Sequence, residues 1–189
     1  MARIERIYRY PVKGLSAEPL AAVTLAPGEG LPLDRVFALA RPETAFDPAG
    51  PAWLAKRHFL MLMRDERLAE LEVTYDAASR RLRIAHAGRQ VLDADPGSAA
   101  GGEAIERFFE AFMAGSLAGR PRLVQARGHI FTDTPTPYVS LINLATVREI
   151  AGKLGREVLD PLRFRANLYV DGLDPWAELG WVDKQLVAV

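Results

Sequence analysis

Cysteine is absent from all 189 residues of the sequence. This absence excludes disulfides, zinc–thiolate sites and cysteine nucleophiles within these residues. The only histidines are His58, His86 and His129, and their wide separation does not match metal-ligand spacing, so we interpret them as surface or core residues. The GxSxG nucleophile elbow, the P-loop and the dinucleotide-binding GxGxxG motif are missing as well. The common catalytic signatures therefore assign no reaction to this chain.

An excess of charge and long hydrophobic runs are also lacking. Lysine plus arginine and aspartate plus glutamate balance at 24 each, so no overall field attracts nucleic acid or an acidic membrane. No run reaches transmembrane length, and the N-terminus lacks the apolar core of a signal peptide. With 49% hydrophobic residues, the chain has the composition of a globular protein of one domain or two small ones. We therefore expect a soluble, cytoplasmic protein that binds neither nucleic acid nor membranes.

Short strand-like runs dominate the first half of the sequence. They are Ile4–Tyr10, Ala22–Leu25, Arg35–Ala40, His58–Met63, Leu71–Tyr75 and Leu82–His86. The last two runs flank residues 76–81 (DAASRR), which predicts a β-hairpin. Frequent proline and glycine between the runs favour a small barrel or sandwich over βαβ units. We predict an antiparallel barrel or sandwich over about residues 1–95, with a loop or an inter-subdomain connection at 93–102.

Two amphipathic helices are predicted in the second half. The first covers Glu103–Met113, and its apolar stripe should pack in the core. That stripe consists of Ile105, Phe108, Phe109 and Phe112. The second covers residues 143–154, with Asn143 as its N-cap and Gly155 at its C-terminal end. The first helix should lead to a second β-rich domain that begins near Arg120, so the fold class is mostly β with α (α+β).

The segment LRFRANLYVDG (162–172) alternates like a half-buried strand. Its predicted core face is Phe164, Ala166, Leu168 and Val170. The opposite face carries Arg163, Arg165, Asn167 and Tyr169. This polar face is either simply solvated or holds an anion, because guanidinium is a planar donor fork that suits phosphate.

Three other stretches place polar groups at strand ends or at a helix start. Lys13 follows the first strand, beside a glycine that would let the backbone approach a ligand. Arg35 stands at a strand start in LPLDRVFAL (31–39). The third stretch is FTDTPTPYVSLIN (131–143), which carries hydroxyl and amide groups just before a helix, whose N-terminus attracts anions. Asp133 of this stretch is either a turn or cap residue or a general base, and the same alternatives apply to Asp160. Lys13, Arg35, Arg165 and Asn167 would form a phosphate site if the fold brings them together.

These stretches, in this order, resemble the MOSC proteins (named for the molybdenum cofactor sulfurase C-terminal domain) that carry an N-terminal β-barrel domain. The group includes bacterial reductases of N-hydroxylated bases and the mitochondrial amidoxime-reducing component. The landmarks are YPVKGLS (10–16), LPLDRVFAL (31–39), FTDTPTPYVSLINLATV (131–147), DPLRFRANLYVDG (160–172) and PWAELGW (175–181). Together they extend over most of the chain. The resemblance implies an N-terminal β-barrel-like domain over residues 1–115 and a MOSC domain from residue 116.

The resemblance also implies a molybdopterin cofactor and the residues that hold it. Four residues match cofactor-binding positions of the family. They are the lysine of YPVKGLS, the arginine of LPLDRVFAL, and the last arginine and the asparagine of RFRAN. These positions are Lys13, Arg35, Arg165 and Asn167 here, and Asn143 matches a further one. The reaction implied is the reduction of N-hydroxylated bases, with a small-molecule substrate.

Two departures from the family pattern affect this expectation. Ala166 replaces the usual proline of the RFRPN-like motif. The family continues past PWAELGW into a segment with an Arg-Cys motif whose cysteine ligates molybdenum, and this sequence ends at Val189 without it. We therefore expect the C-terminal part of the MOSC domain (116–189) to be missing, and we assign no catalytic or metal-ligating residue within this chain.

The sequence leaves three hypotheses open. In the first, the full-length form is a molybdenum-dependent oxidoreductase that receives electrons from a separate reductase, because no flavin, haem or iron–sulfur motif is present. In the second, the chain is a non-catalytic module that binds molybdopterin or another phosphorylated ligand, or carries sulfur. The family is also linked to pyridoxal phosphate, although no lysine here stands in a context that favours a Schiff base. In the third, it is a structural β-domain with solvated basic residues.

Overall fold

The computed structural model describes residues 2–185 as a mixed α/β chain in which strand residues outnumber α-helical ones. The strands are β1 (Arg3–Arg9), β2 (Glu18–Leu20), β3 (Ala38–Ala40), β4 (Leu71–Asp76), β5 (Arg81–His86), β6 (Arg89–Ala94), β7 (Arg122–Val124), β8 (Leu141–Asn143) and β9 (Leu168–Asp171). The α-helices are α1 (Ala99–Phe112) and α2 (Leu144–Lys153). Short 3₁₀ helices cover Lys56–His58, Glu66–Glu70, Pro161–Phe164 and Ala177–Trp181. The predicted fold class, mostly β with α, is confirmed.

The chain divides into two compact units. The first unit consists of Met1–Tyr8, Pro19–Thr24 and Val139–Val189, and the second of Arg9–Glu18 and Leu25–Tyr138. The predicted division at residues 115 and 116 stays a prediction, as does the missing end of the MOSC domain. Of the expected C-terminal stretch, residues 186–189 lie outside the described part of the chain.

The first unit is built on a four-stranded sheet in the order β2-β1-β9-β8. Strand β9 pairs antiparallel with β1 and parallel with β8, and α2 connects the two parallel strands. Val147 and Ala151 of α2 pack with Leu159 in a small core. This βαβ element was not predicted, because β8 is only three residues long and gives no periodic signal.

The second unit contains the larger hydrophobic core. Strands β4, β5 and β6 form an antiparallel meander, and β3 pairs with β7. The predicted hairpin across residues 76–81 is confirmed as β4–β5. Ile105 and Phe109 of α1 are fully buried against this meander, while Phe108 and Phe112 pack at its margin, which confirms the predicted core stripe. Every sheet formed by residues 2–185 has two end strands, so none closes into a barrel.

Both predicted helices are present, and the first begins earlier than predicted. Helix α2 begins after Asn143, whose side chain caps the amide of Ala145, and it ends before Gly155 at φ +64°, as predicted. Helix α1 begins at Ala99 because the Ser98 hydroxyl accepts a hydrogen bond from the Gly101 amide. The predicted loop at 93–102 was therefore wrong at both ends, since β6 continues to Ala94. No helix in residues 2–185 combines the length and apolar character needed to cross a bilayer.

Some predicted strands are shorter than expected or absent. Residues 22–25 form no strand, and the expected strand at 35–40 is formed only at Ala38–Ala40 because Arg35 has φ +52°, outside the β region. The segment 58–63 is likewise not a strand, because His58 ends a 3₁₀ helix and the chain turns at Met61, whose carbonyl accepts two amide hydrogen bonds.

The strand predicted at residues 164–170 is formed only from Leu168 onward, and the predicted alternation of a core face and a polar face is wrong. Pro161–Phe164 form a 3₁₀ helix capped by Asp160, and Arg165 follows in the left-handed region at φ +53°. Because Arg165 lies outside the β region, extended structure begins only at Leu168, and Tyr169 and Val170 of β9 are both buried. Phe164, expected in the core, is 46% exposed, whereas Tyr169, expected on the polar face, is buried.

Candidate functional site

Two neighbouring segments of the second unit bring Lys13 and Arg35 together. The amide of Arg35 donates to the carbonyl of Tyr10 at 2.7 Å, and the amide of Lys13 donates to the carbonyl of Phe37 at 2.8 Å. Val12 and Phe37 form a parallel bridge between them. Segments 10–13 and 34–37 therefore run side by side, and backbone bonds fix the positions of both basic residues.

A third segment of the same unit completes the site. The amide of Phe131 donates to the carbonyl of Arg35 at 2.8 Å. The ammonium of Lys13, a residue only 5% exposed, donates to the Phe131 carbonyl at 2.9 Å and to the Asp133 carboxylate at 2.5 Å. The pairing of a buried ammonium with two oxygen atoms offsets its desolvation. Asp133, for which the sequence left a turn role or a general-base role open, is an ion-pair partner here.

The electrostatic surroundings of Asp133 reveal one further basic residue. Burial raises the pKa of the Asp133 carboxyl, but the hydrogen bond from Lys13 and the charges of Lys13, Lys56 and Arg35 outweigh it, so the pKa lies below its ordinary value. We call Lys13, Arg35 and Lys56 the cation cluster. Lys56 was not predicted, because it lies in an ordinary basic run, AKRH at 55–58.

Arg35 is held in a strained conformation that its neighbours stabilise. Its guanidinium pairs with Asp34, a buried carboxylate that also accepts the Tyr10 amide at 2.7 Å, and it lies 5.0 Å above the Tyr10 ring. A non-glycine residue at positive φ costs about 1–2 kcal/mol. Strain of this kind often marks functional positions.

Gly14 has a different neighbour from the one predicted. A Cβ atom at this position would lie 2.7 Å from the Leu60 carbonyl oxygen, and φ is +82°. The glycine therefore allows two protein backbones to approach each other, and this contact accounts for it without a ligand.

The other three predicted residues belong to the first unit. Asn167 is fully buried; its side-chain oxygen accepts from the amide and hydroxyl of Ser140, and its amide donates to the Tyr8 carbonyl. Arg165 follows the 3₁₀ helix and is half-buried. The asparagine of the RFRAN motif thus holds three chain segments of this unit together.

Asn143 is also fully buried and hydrogen bonded within the first unit. Its side chain caps α2 and donates to the Asp174 carbonyl and to the Glu178 carboxylate, both at 2.8 Å. Burial raises the pKa of Glu178, but hydrogen bonds from Asn143 and Thr146 outweigh it and lower the pKa below its ordinary value. The PWAELGW motif therefore supplies a carboxylate at the start of α2, where the helix dipole stabilises it.

The structure thus brings together two of the five predicted site residues, Lys13 and Arg35. Their neighbours Lys56 and Asp133 extend the site, while the roles of Arg165, Asn167 and Asn143 in cofactor binding stay predictions of the resemblance. Within residues 2–185, no three histidine or acidic side chains are grouped so that they could hold a metal ion. The cation cluster fits the anionic part of a ligand, such as a phosphate, rather than a metal ion.

Comparison with protein families identifies the chain. The profile of the MOSC N-terminal beta barrel domain matches residues 1–116, more than half of the 189 residues. The chain belongs to this family, and MOSC proteins are generally associated with the molybdenum cofactor. A comparison with curated proteins gave no match. Both segments that hold Lys13 and Arg35 lie within the matched residues.

Proposed function

We propose that this protein binds the molybdenum cofactor and that the cation cluster holds the cofactor's phosphate. The observation that carries the proposal is that backbone hydrogen bonds hold Lys13 and Arg35 on adjacent segments, with the Lys13 ammonium bound to Asp133, in a member of the MOSC family. Neighbouring like charges repel each other, and anions nearby offset that repulsion. Here Asp34 pairs with Arg35, and Asp133 pairs with Lys13. Asp133 supplies one negative charge, and a phosphate monoester would supply up to two.

Each member of the cluster has a distinct part in binding. Lys13 is buried and fixed by the Phe131 carbonyl, so it provides a positioned ammonium donor. Arg35 is oriented by Asp34 and Tyr10 and provides a planar fork of donors. Lys56 is exposed, and its positive charge adds electrostatic attraction for an anionic ligand on the solvent-facing side of the cluster. The molybdenum centre supplies the redox chemistry when the cofactor is bound.

The reaction that we propose for the full-length form is the reduction of N-hydroxylated bases, with electrons from a separate reductase. This part of the proposal rests on the resemblance of the five landmarks. Its test is the growth of a strain sensitive to N-hydroxylated purines after complementation with the full-length gene. Failure of a well-expressed protein to restore growth would contradict the substrate class without affecting the proposed cofactor site.

Replacing Lys13 by methionine, or Arg35 by asparagine, should weaken binding of the cofactor at least about tenfold and so lower the pterin content of the purified protein. A hydrogen bond to a charged group contributes about 1.5–3 kcal/mol, which corresponds to a factor of roughly 10–100 in affinity. Asparagine suits position 35 because it tolerates positive φ. The measurement is the fluorescence of the oxidised pterin released from each protein.

Arg64→Met is the matched control, because Arg64 is an exposed arginine of the same unit and lies outside the cation cluster. This variant should retain the pterin content of the unmodified protein. Folded Lys13 and Arg35 variants that retain the full content would contradict the proposed site.

A further inference from the structure

Asp133 lies where an anionic ligand of the cation cluster would be held. Its carboxylate is 2.5 Å from the Lys13 ammonium and is stabilised by the charges of Lys56 and Arg35. The Asp133 side chain is 54% exposed, whereas that of Lys13 is 6% exposed. The carboxylate therefore covers the buried ammonium on its solvent side, and an incoming anion must compete with it.

The backbone around Asp133 is held by contacts that do not involve its carboxylate. The Thr132 carbonyl accepts a hydrogen bond from the Trp53 indole at 3.2 Å, and the Thr132 hydroxyl donates to the Thr134 carbonyl at 2.7 Å. The amide of Phe131 is bound to the Arg35 carbonyl. A rotation of the Asp133 side chain can therefore release Lys13 while these backbone contacts remain in place.

The charges around the site indicate which anion would displace the carboxylate. Asp133 places one negative charge against the Lys13 ammonium, where the charges of Lys56 and Arg35 also act on it. An anion that displaces the carboxylate must at least replace that charge. A phosphodiester or a carboxylate carries about −1 and only replaces what Asp133 already supplies, whereas a phosphate monoester carries about −1.5 to −2 at neutral pH and gains additional attraction from the same cations.

We propose that Asp133 is an intramolecular stand-in for the ligand's phosphate, which a phosphate monoester dianion displaces when it binds. The inference rests on the proposed function, since it concerns the same cation cluster. It assigns Asp133 a role in selectivity: the residue lowers the affinity for every anion, and dianions offset the loss better than monoanions do.

Asp133→Asn should therefore bind inorganic phosphate about tenfold more tightly than the unmodified protein, because phosphate no longer displaces a charge-assisted hydrogen bond. Glu72→Gln is the matched control; Glu72 is exposed on β4 of the same unit, and its replacement changes the net charge equally. Its affinity should stay within about twofold of the original if long-range attraction is screened at physiological salt. Calorimetric titration of each purified protein gives the dissociation constants.

Adding Lys13→Met to Asp133→Asn should abolish the gain. Asp133→Ser should reproduce it, and a thermal unfolding curve for each variant shows that the comparison is between folded proteins. Equal phosphate affinity in the original protein and in both Asp133 variants would overturn the stand-in role and leave the phosphate site standing. Equal gains in Glu72→Gln and Asp133→Asn would overturn it too. An absence of phosphate binding in every protein, the Asp133 variants included, would overturn the phosphate site and the stand-in role together.

Discussion

Replacing Asp65 by alanine should lower the free energy of unfolding by about 3–5 kcal/mol, the usual cost of leaving one charge of a buried pair without its partner. Arg41 is the largest fully buried side chain in the described part of the protein, and it pairs with Asp65, which is also buried. The same Asp65 carboxylate accepts the Met61 amide at 2.9 Å. Denaturant unfolding measures the loss.

The double variant Arg41→Met, Asp65→Ala separates the charge from the packing. Met removes the buried guanidinium, whose Nε has no hydrogen-bond partner among residues 2–185. The double variant should therefore be more stable than Asp65→Ala alone by at least about 1 kcal/mol. Glu103→Ala is the control, because its pair with Arg107 is exposed and should matter little. Strictly additive losses would contradict a buried, coupled ion pair.

Gly101→Ala should destabilise the protein by about 2–3 kcal/mol or more. A Cβ atom there would lie 2.0 Å from the Asp95 carbonyl oxygen and 2.8 Å from the Ser98 hydroxyl oxygen. Both atoms belong to the turn that begins α1, and overpacking against backbone costs about 1–3 kcal/mol, occasionally more. The effect is measured as a shift of the denaturant midpoint.

Gly102→Ala is the neighbouring control in the same helix. A Cβ atom at this position meets nothing within 4 Å. Alanine is a better helix former than glycine by up to about 1 kcal/mol, so this variant should be neutral or more stable. If both variants shift the midpoint equally, the close packing described for the start of α1 is incorrect.

The parts of the fold with strong periodicity were predictable from the sequence. The apolar stripe of α1 and the N-cap residue Asn143 of α2 predicted the two helices correctly, because both features depend on residues close together in sequence. The prediction for residues 162–172 was partly wrong because their alternation is typical of a strand. Arg165 instead adopts a left-handed conformation, which the local sequence does not indicate. The parallel pairing of β8 with β9 rests on contacts between distant segments, and no local pattern in either strand encodes it.

The candidate site was only partly predictable for a related reason. The basic residues at strand ends indicated Lys13 and Arg35, and the structure brings them together through segments 10–13 and 34–37. The part of Asp133 depends on a contact with Lys13 across 120 positions of sequence, which no local pattern encodes. The role of Lys56 is likewise evident only from the effect of its charge on the pKa of Asp133.

The most direct test of the cation cluster is a titration of the purified protein with molybdopterin and, separately, with the same pterin after phosphatase treatment. If Lys13, Arg35 and Lys56 hold the phosphate, removing it should weaken binding at least about tenfold, the loss expected for one or more charge-assisted hydrogen bonds. In Lys13→Met the difference between the two ligands should shrink. Equal affinity of the unmodified protein for both forms would contradict the assignment of this cluster as the phosphate site of the cofactor.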